Sequence, residues 1–208
     1  MSLLTESDAG LYCPAGDFYV DPWQPVDRAV ITHAHADHAR SGSRRYPAAK
    51  EGEAVFRLRV GEEADIEFLE YGRQIQWNGV NVALHPAGHI RGSAQVRIEH
   101  RGEICVVSGD YKLAADPTTR PFEPIGCHTF VTESTFGLPI YRWPSPKEVI
   151  EEIHRWWREN QSAGRTSVLF AYAVGKSQRL LASLDPSVGP LLAHGAVLRG
   201  CQAYRNSG

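Results

Sequence analysis

The chain has 208 residues, of which 42% are hydrophobic and 22% charged, and its formal net charge is −2. This composition is typical of a globular protein with its own core. It excludes a global basic field as a sign of nucleic-acid binding, but not a nuclease, because metal ions can supply positive charge locally. No apolar run approaches the ~20 residues of a membrane helix. The N-terminus lacks the basic and apolar segments of a signal peptide, so we expect a cytoplasmic protein with no membrane partner.

The first two thirds of the chain predict short strands joined by tight turns. Apolar residues alternate on both sides of Asn78-Gly79, which is a strong signal for a hairpin. The predicted strands are Phe18–Val20, Ala29–Thr32, Ile75–Trp77, Val80–Leu84, Ala94–Ile98 and Ile104–Val107.

The last third has a different pattern. Ser145-Pro146-Lys147-Glu148 fits a capping box and predicts a helix that runs to about residue 160. We expect a strand at Thr166–Ala171, a second helix at Gly175–Leu184 and a further strand at His194–Leu198. This alternation favours an α/β segment that begins near residue 130.

Three histidines and an aspartate follow the predicted strand Ala29–Thr32 within six positions. They are His33, His35, Asp37 and His38. Packing alone explains this spacing poorly, whereas imidazole nitrogens and carboxylate oxygens are the ligands that zinc and similar divalent ions prefer. The cluster therefore predicts a metal site at the end of a buried strand.

Three further candidates stand where predicted strands end. His89 follows Pro86-Ala87-Gly88, Asp110 follows Ser108-Gly109, and Asp21 follows Phe18–Val20. The alternatives are an ordinary surface or core histidine for His89, a turn or cap role for Asp110, and a turn role before a proline for Asp21. Together with the cluster, these side chains approach what two metal ions with a bridging carboxylate require, and nearby carboxylates can orient imidazole ligands.

The motifs, in this order, resemble the metallo-β-lactamase superfamily. The resemblance implies an α/β (α+β) fold, an αββα sandwich with metals at its rim, which is incomplete here. It implies that His33, His35 and His89 hold a first ion, that Asp37 and His38 hold a second, and that Asp110 bridges them. Asp21 matches the aspartate that precedes the main motif in this superfamily.

A second set of motifs is similar to the β-CASP nuclease branch. Ala87–Ala94, Thr132–Gly137 with its acidic Glu133, and Phe170–Gln178 match segments of that branch. The chain looks most like bacterial DNA exonucleases associated with a DNA ligase, and it is similar to mRNA 3′-end processing factors. The implied domains are a metallo-β-lactamase part at 1–130 and a partial β-CASP insert at 131–208.

The β-CASP pattern continues with two later histidines that this chain lacks. We therefore expect the N-terminal portion of a longer enzyme, which binds one metal ion well and the second poorly. The closing strands of the second sheet would be missing as well.

The function implied by the resemblance is that of a metallo-hydrolase. We expect a nuclease that cleaves DNA phosphodiester bonds in repair or end processing, through a hydroxide activated by two zinc ions, with manganese or magnesium as alternatives. The implied catalytic residues are Asp37, Asp110, Glu133 and Asp21, and the implied partners are DNA and a repair ligase or helicase. RNA 3′-end processing, thioester or lactam hydrolysis, and an inactive metal-binding fragment remain alternatives.

Overall fold

The structure is a computed structural model that describes residues 3–208. The chain divides into two compact units. The first comprises Met1–Glu133 together with Gln202–Gly208, and the second comprises Ser134–Cys201. Among the described residues, no helix is long and apolar enough to cross a membrane.

The first unit begins with a four-stranded sheet in the order β1-β2-β3-β4. Its first three strands are antiparallel, and the fourth runs parallel to the third. The strands are β1 (Thr5–Ser7), β2 (Gly10–Cys13), β3 (Phe18–Val20) and β4 (Ala29–Val30).

A parallel pair of strands flanks a short helical segment in the same unit. The strands are β5 (Tyr46–Ala49) and β6 (Ile66–Leu69). A 3-10 turn at Lys50–Gly52 leads directly into helix α1 (Glu53–Val60) between them. Backbone hydrogen bonds from Ala29 and Ile31 to carbonyls of the segment 45–47 tie β5 to the end of β4.

The second sheet has five strands in the order β11-β10-β9-β8-β7. They are β7 (Gln74–Trp77), β8 (Val80–Pro86), β9 (Ala94–His100), β10 (Glu103–Val107) and β11 (Thr129–Val131). The predicted hairpin is confirmed, because Trp77 pairs with Val80 across Asn78-Gly79, and both turn residues have the positive φ that a tight hairpin turn requires.

Both sheets contribute to one apolar core. Phe18, Val20 and Val30 of the first sheet are at most 1% exposed, and they share a cluster with the inward residues of the second. The latter are Val80, Val82, Leu84, Val96 and Ile98. Because buried apolar area is the main favourable term in folding, this core fixes the strands whose ends carry the candidate site.

The second unit is helical, and the predicted capping box begins its first helix. The Ser145 hydroxyl accepts a hydrogen bond from the Glu148 amide at 3.2 Å, and the Glu148 carboxylate accepts one from the Ser145 amide at 2.7 Å. The helices are α2 (Pro146–Ser162), α3 (Lys176–Ser183) and α4 (Gly195–Asn206), of which the last residues belong to the first unit. The two predicted helices are thus confirmed.

Two predicted strands in this region are wrong. Residues 166–171 form no strand, and Phe170 is 94% exposed, because a strand needs a neighbour to accept its backbone hydrogen bonds and this segment has none. Residues 195–198 begin α4 instead of a strand. A short apolar run is ambiguous between the two states, and here Val197, Cys201 and Tyr204 recur at helical spacing.

The structure confirms a mixed α and β fold with several sheets and four helices among the described residues. Strands β4, β8 and β10 end on segments that carry the candidate ligands, so the fold brings positions from three parts of the sequence to one place.

Candidate metal centre

The main motif lies on a turn that leaves the end of β4. The amides of His38 and Ala39 both donate to the His35 carbonyl, at 3.2 and 2.8 Å. The Ala94 amide donates to the Thr32 carbonyl at 2.7 Å, which ties the segment before the turn to the second sheet. The turn therefore projects its side chains from a fixed backbone.

Four side chains converge on one point. One ligand atom each from His33, His35, His89 and Asp110 lies within 4.8 Å of the other three. The Nδ1 atom of His35 is 3.0 Å from Nε2 of His33 and 3.3 Å from Nε2 of His89. Asp110 Oδ2 is 3.8 Å from Nε2 of His33 and 3.6 Å from Nε2 of His89.

These separations fit a tetrahedral ion. Zinc bonds to imidazole nitrogen and carboxylate oxygen are about 2.0–2.2 Å long, which places the ligand atoms of a tetrahedral site roughly 3.3–3.5 Å apart. Four of the six separations among these atoms lie between 3.0 and 3.8 Å and bracket that value, and all six lie within 4.8 Å. Three nitrogens and one carboxylate oxygen are also the donor set that zinc accepts, so the residues present fit a divalent ion.

Burial keeps two of the histidines neutral. Burial, reinforced by the neighbouring rings of His38, His35 and His89, holds the pKa of His33 well below its usual range. Burial and the His35 ring lower the pKa of His89 to about 4, against the opposing charges of Asp110 and Glu133. A neutral imidazole offers a lone pair, which is the form that binds metal.

Asp21 does not join the four converging atoms but lies behind them. Its Oδ1 accepts from the Thr32 amide at 2.8 Å, and its Oδ2 accepts from the Thr32 hydroxyl at 2.5 Å and contacts Nδ1 of His38 at 2.7 Å. Burial alone would lower the pKa of His38, but hydrogen bonds to Asp110 and Asp21 raise it to about 10. Asp21 is thus placed to orient an imidazole.

Asp110 faces two groups with its two oxygens. Oδ2 belongs to the converging set, while Oδ1 is 3.3 Å from Nε2 of His38. The His38 hydrogen bond lowers the pKa of the Asp110 carboxyl against the opposing effect of burial. Asp37, with a side chain 75% exposed, has its Oδ2 3.8 Å from the same His38 nitrogen. Asp37, His38 and Asp110 therefore form a second, more open group.

Glu133 lies just beyond β11 and its charge reaches the site. That charge raises the pKa of His89, although burial keeps the net shift downward. Every residue predicted from the sequence is therefore found at or beside one site. His33, His35, His89 and Asp110 converge, Asp37 and His38 flank them, and Asp21 and Glu133 lie around them.

The sequence reasoning assigned no role to residues that support the His89 turn. The Ser93 hydroxyl accepts from the amides of His89 and Ile90, at 3.0 and 3.2 Å. The Ser93 carbonyl accepts a hydrogen bond from the Tyr71 hydroxyl at 2.8 Å. The Tyr204 hydroxyl accepts one from the Arg91 amide at 3.1 Å. A serine four residues after a candidate ligand was a visible signal, whereas the two tyrosines come from distant sequence.

A glycine allows β10 to deliver Asp110 beside the main motif. Gly109 has a φ of +56°, and a Cβ atom there would overlap the Thr32 side chain. Any other residue would be strained in this conformation and would also push the two segments apart. The dipeptide Gly109-Asp110 in the sequence is explained by this close approach.

An arginine of α1 supports the motif turn from the other side. Arg59 donates through Nε to the Ala39 carbonyl at 3.1 Å and through Nη2 to the Ala36 carbonyl at 3.3 Å. The Tyr46 hydroxyl donates to the Arg40 carbonyl at 3.0 Å and accepts from the Ser43 amide at 2.7 Å. These bonds fix the backbone on which Asp37 and His38 stand, and no sequence pattern indicated them.

Comparison with known proteins gives relatives of two kinds. A probable DNA ligase of Opitutus terrae is 33% identical over 202 residues, which cover 96% of this chain and 20% of the relative. RNase aCSPSF2 of Saccharolobus solfataricus is 28% identical over 119 residues, covering 56% of this chain and 24% of the relative. Endoribonuclease YSH1 of Saccharomyces cerevisiae is 27% identical over 124 residues, covering 58% and 15%.

The chain thus spans between about one seventh and one quarter of the length of these relatives. No protein-family profile matches it. Among solved structures, a protein of unknown function from Enterococcus faecalis superposes on 63% of the chain with a TM-score of 0.42 and 14% identity, which is too distant to support an argument.

Proposed function

The chain is related to the β-CASP nucleases of the metallo-β-lactamase superfamily, as the sequence predicted, and on that premise we propose that it is part of a metal-dependent nuclease that hydrolyses phosphodiester bonds of DNA. The observation that carries the proposal is the convergence of His33, His35, His89 and Asp110 within 4.8 Å. A structural cluster would satisfy these groups with one another, but three imidazole nitrogens directed at one point favour a shared cation.

We assign each ligand a place from its distances. His33, His35 and His89 would hold the first ion, His38 and Asp37 the second, and Asp110 would contact both through its two oxygens. When bound, such ions would polarise a phosphodiester and lower the pKa of a water molecule. The chain has a net charge of −2, so the ions would also supply the positive charge that attracts a polyanion.

The remaining residues would prepare this site for hydrolysis. Asp21 holds the imidazole of His38 through its 2.7 Å contact, which limits rotation of that ring. The side chain of Asp37 is 75% exposed, so water can reach its carboxylate. We propose that this carboxylate accepts a proton from the attacking water. Glu133 places negative charge near His89, and by resemblance we propose it as a catalytic residue.

The DNA assignment is supported by the relative that covers nearly the whole chain, a probable DNA ligase. By resemblance we propose end trimming by an exonuclease in the cytoplasm, alongside a repair ligase or helicase. We further propose that the first unit is an incomplete αββα sandwich, that residues 131–208 are part of a β-CASP insert, and that zinc, manganese or magnesium is the metal.

RNA is the second candidate substrate, because the other relatives reported above are named as ribonucleases. Their matches cover little more than half of this chain. The metal site itself does not distinguish the two, since it would act on the phosphate that DNA and RNA share.

The proposal is tested with labelled single-stranded DNA and RNA of one sequence, each incubated with chain reconstituted with zinc or manganese. We expect DNA cleavage that stops with chelator and in Asp110→Asn, with an unchanged circular dichroism spectrum. Cleavage of RNA alone would select the second candidate. Full activity of Asp110→Asn, or turnover of a glutathione thioester or a chromogenic lactam in place of either nucleic acid, would contradict the proposal.

A further inference from the structure

We infer that Thr32 fixes the tautomer of His33, so that the Nε2 atom of this imidazole presents its lone pair to the other converging ligands. The inference rests on the proposed metal centre. It makes Thr32 a positioning residue that acts through His33 and, on its other side, depends on Asp21.

Thr32 and His33 are among the most deeply buried polar residues of the described chain, at 1% and 2% exposed. The Thr32 hydroxyl oxygen lies 2.5 Å from Oδ2 of Asp21 and 3.1 Å from Nδ1 of His33. The Thr32 amide donates to the other Asp21 oxygen at 2.8 Å. Two hydrogen bonds to one carboxylate therefore hold a threonine that is almost fully buried.

The direction of each hydrogen bond follows from the number of hydrogens available. A carboxylate accepts only, and a hydroxyl has one hydrogen to donate. The 2.5 Å separation is that of an O–H···O⁻ bond, so the hydroxyl hydrogen points at Asp21. The hydroxyl oxygen of Thr32 can then only accept a hydrogen bond from His33. Nδ1 of His33 must therefore carry a hydrogen and donate it to this oxygen.

The consequence appears on the opposite side of the His33 ring. A neutral imidazole carries one hydrogen, so a protonated Nδ1 leaves Nε2 with a lone pair. This atom lies 3.0 Å from Nδ1 of His35 and 3.8 Å from Oδ2 of Asp110, inside the converging group. The hydrogen bonds that link Asp21, Thr32 and His33 thus leave Nε2 of His33 free to bind a metal ion even in the metal-free protein.

The same carboxylate acts on a second ring without an intermediary. Asp21 Oδ2 lies 2.7 Å from Nδ1 of His38, and a carboxylate at this distance requires a hydrogen on that nitrogen. Both His33 and His38 are therefore turned so that Nε2 faces the site. Thr32 is needed for His33 because the structure gives that ring no direct hydrogen bond to Asp21.

The test compares Thr32→Val with Thr32→Ser in the metal-free chain. Valine keeps the shape of threonine and removes the hydroxyl, while serine keeps the hydroxyl and serves as the matched control. Nitrogen-15 NMR of the histidine rings reports which nitrogen of His33 carries the hydrogen, and His33→Gln identifies its signals. Zinc affinity is then measured by competition with a chelator, and circular dichroism checks the fold.

We expect the wild type and Thr32→Ser to show a protonated Nδ1 and a free Nε2 at His33, with similar zinc affinities. Thr32→Val should show a mixture of tautomers and a zinc affinity lowered by about 10–100-fold, the usual effect of removing a hydrogen-bond partner from a metal-binding histidine. A wild-type chain with its hydrogen on Nε2, or a Thr32→Val variant equal to Thr32→Ser in either readout, would overturn the inference.

The two readouts separate this inference from the proposed function. A wild-type chain with the expected tautomer that binds no zinc would contradict the proposed metal centre, while its NMR spectrum would still support the role of Thr32. Zinc binding that is insensitive to Thr32→Val would leave the metal centre supported and overturn the role of Thr32.

Discussion

Gly88 lies directly against the backbone of Lys112, so that a Cβ atom at position 88 would overlap the Lys112 carbonyl oxygen. The Lys112 amide in turn donates to the Ala87 carbonyl at 3.0 Å. The segment after Asp110 is therefore packed onto the turn that carries His89. His89 and Asp110, two candidate ligands distant in sequence, are therefore held at their spacing by contact between the backbone segments beside them.

Gly88→Ala should therefore lower the free energy of unfolding through two separate effects. Gly88 has a φ of +76°, which costs an alanine about 1–2 kcal/mol, and the overlap adds about 1–3 kcal/mol. Gly102→Ala is the matched control, because Gly102 has a φ of +83° and nothing within 4 Å of its Cβ position. Urea unfolding of the metal-free variants measures both effects, and equal losses would show that the contact with Lys112 carries no energy.

The support of the motif turn by Arg59 leads to a second prediction. Arg59→Lys keeps the charge and helix propensity but cannot donate to the Ala36 and Ala39 carbonyls with one planar group. We expect faster amide hydrogen exchange at His38 and Ala39 in the metal-free chain, and weaker binding of the second metal ion.

Arg57→Lys is the control for this variant. Arg57 lies on the same helix, but it contacts Glu53 and the Glu62 carbonyl and not the motif turn. Hydrogen exchange at the turn should be unchanged in Arg57→Lys. If both variants behave alike, the turn is held by other contacts, such as those of Tyr46.

Asp116 gives the metal-free chain a predictable dependence on pH. Burial would raise its pKa, but hydrogen bonds from Thr118 and Lys112 outweigh it and lower the pKa below the ordinary 3.8. A group with a lowered folded-state pKa contributes stability that is present above the unfolded value and is lost as pH falls through the folded value. We expect the stabilising contribution of Asp116 to disappear as pH falls below about 4.

Asp116→Asn should accordingly lower the free energy of unfolding at pH 7 and reduce its loss on acidification. Asp65→Asn serves as a control, since Asp65 is 61% exposed and pairs with Arg45 on the surface, where ion pairs contribute little. Urea unfolding at several pH values between about 3 and 7 makes the measurement. A pH profile of Asp116→Asn that runs parallel to the wild type would contradict it.

The candidate ligand residues could be picked out from the sequence because they occur in short motifs at predicted strand ends. His33, His35, Asp37 and His38 follow one strand within six positions, and His89 and Asp110 follow the ends of two others. Strand ends on a shared rim come together once the core residues are buried, and hydrophobic alternation reveals those strands.

The supporting contacts were not predictable because they depend on the packed backbone. Tyr204 reaches Arg91 across 113 residues, and Tyr71 reaches Ser93 across 22. Neither contact has a local pattern. The prediction of a strand at 166–171 was wrong for a related reason. β propensity specifies a strand only where a neighbouring strand accepts its hydrogen bonds.

The central claim is a metal centre built on the four converging side chains. Its most direct test is a zinc titration of the chelator-treated chain, monitored by calorimetry, with metal analysis after gel filtration. We predict one tightly held ion per chain and a second held weakly. The tight binding step should be lost in His89→Ala and kept in His100→Ala. His100 is the control because, among the described contacts, its ring hydrogen-bonds only the Gly79 carbonyl. Absence of a tight step, or its persistence in His89→Ala, would contradict the metal centre. Two tightly held ions would contradict the predicted weakness of the second site.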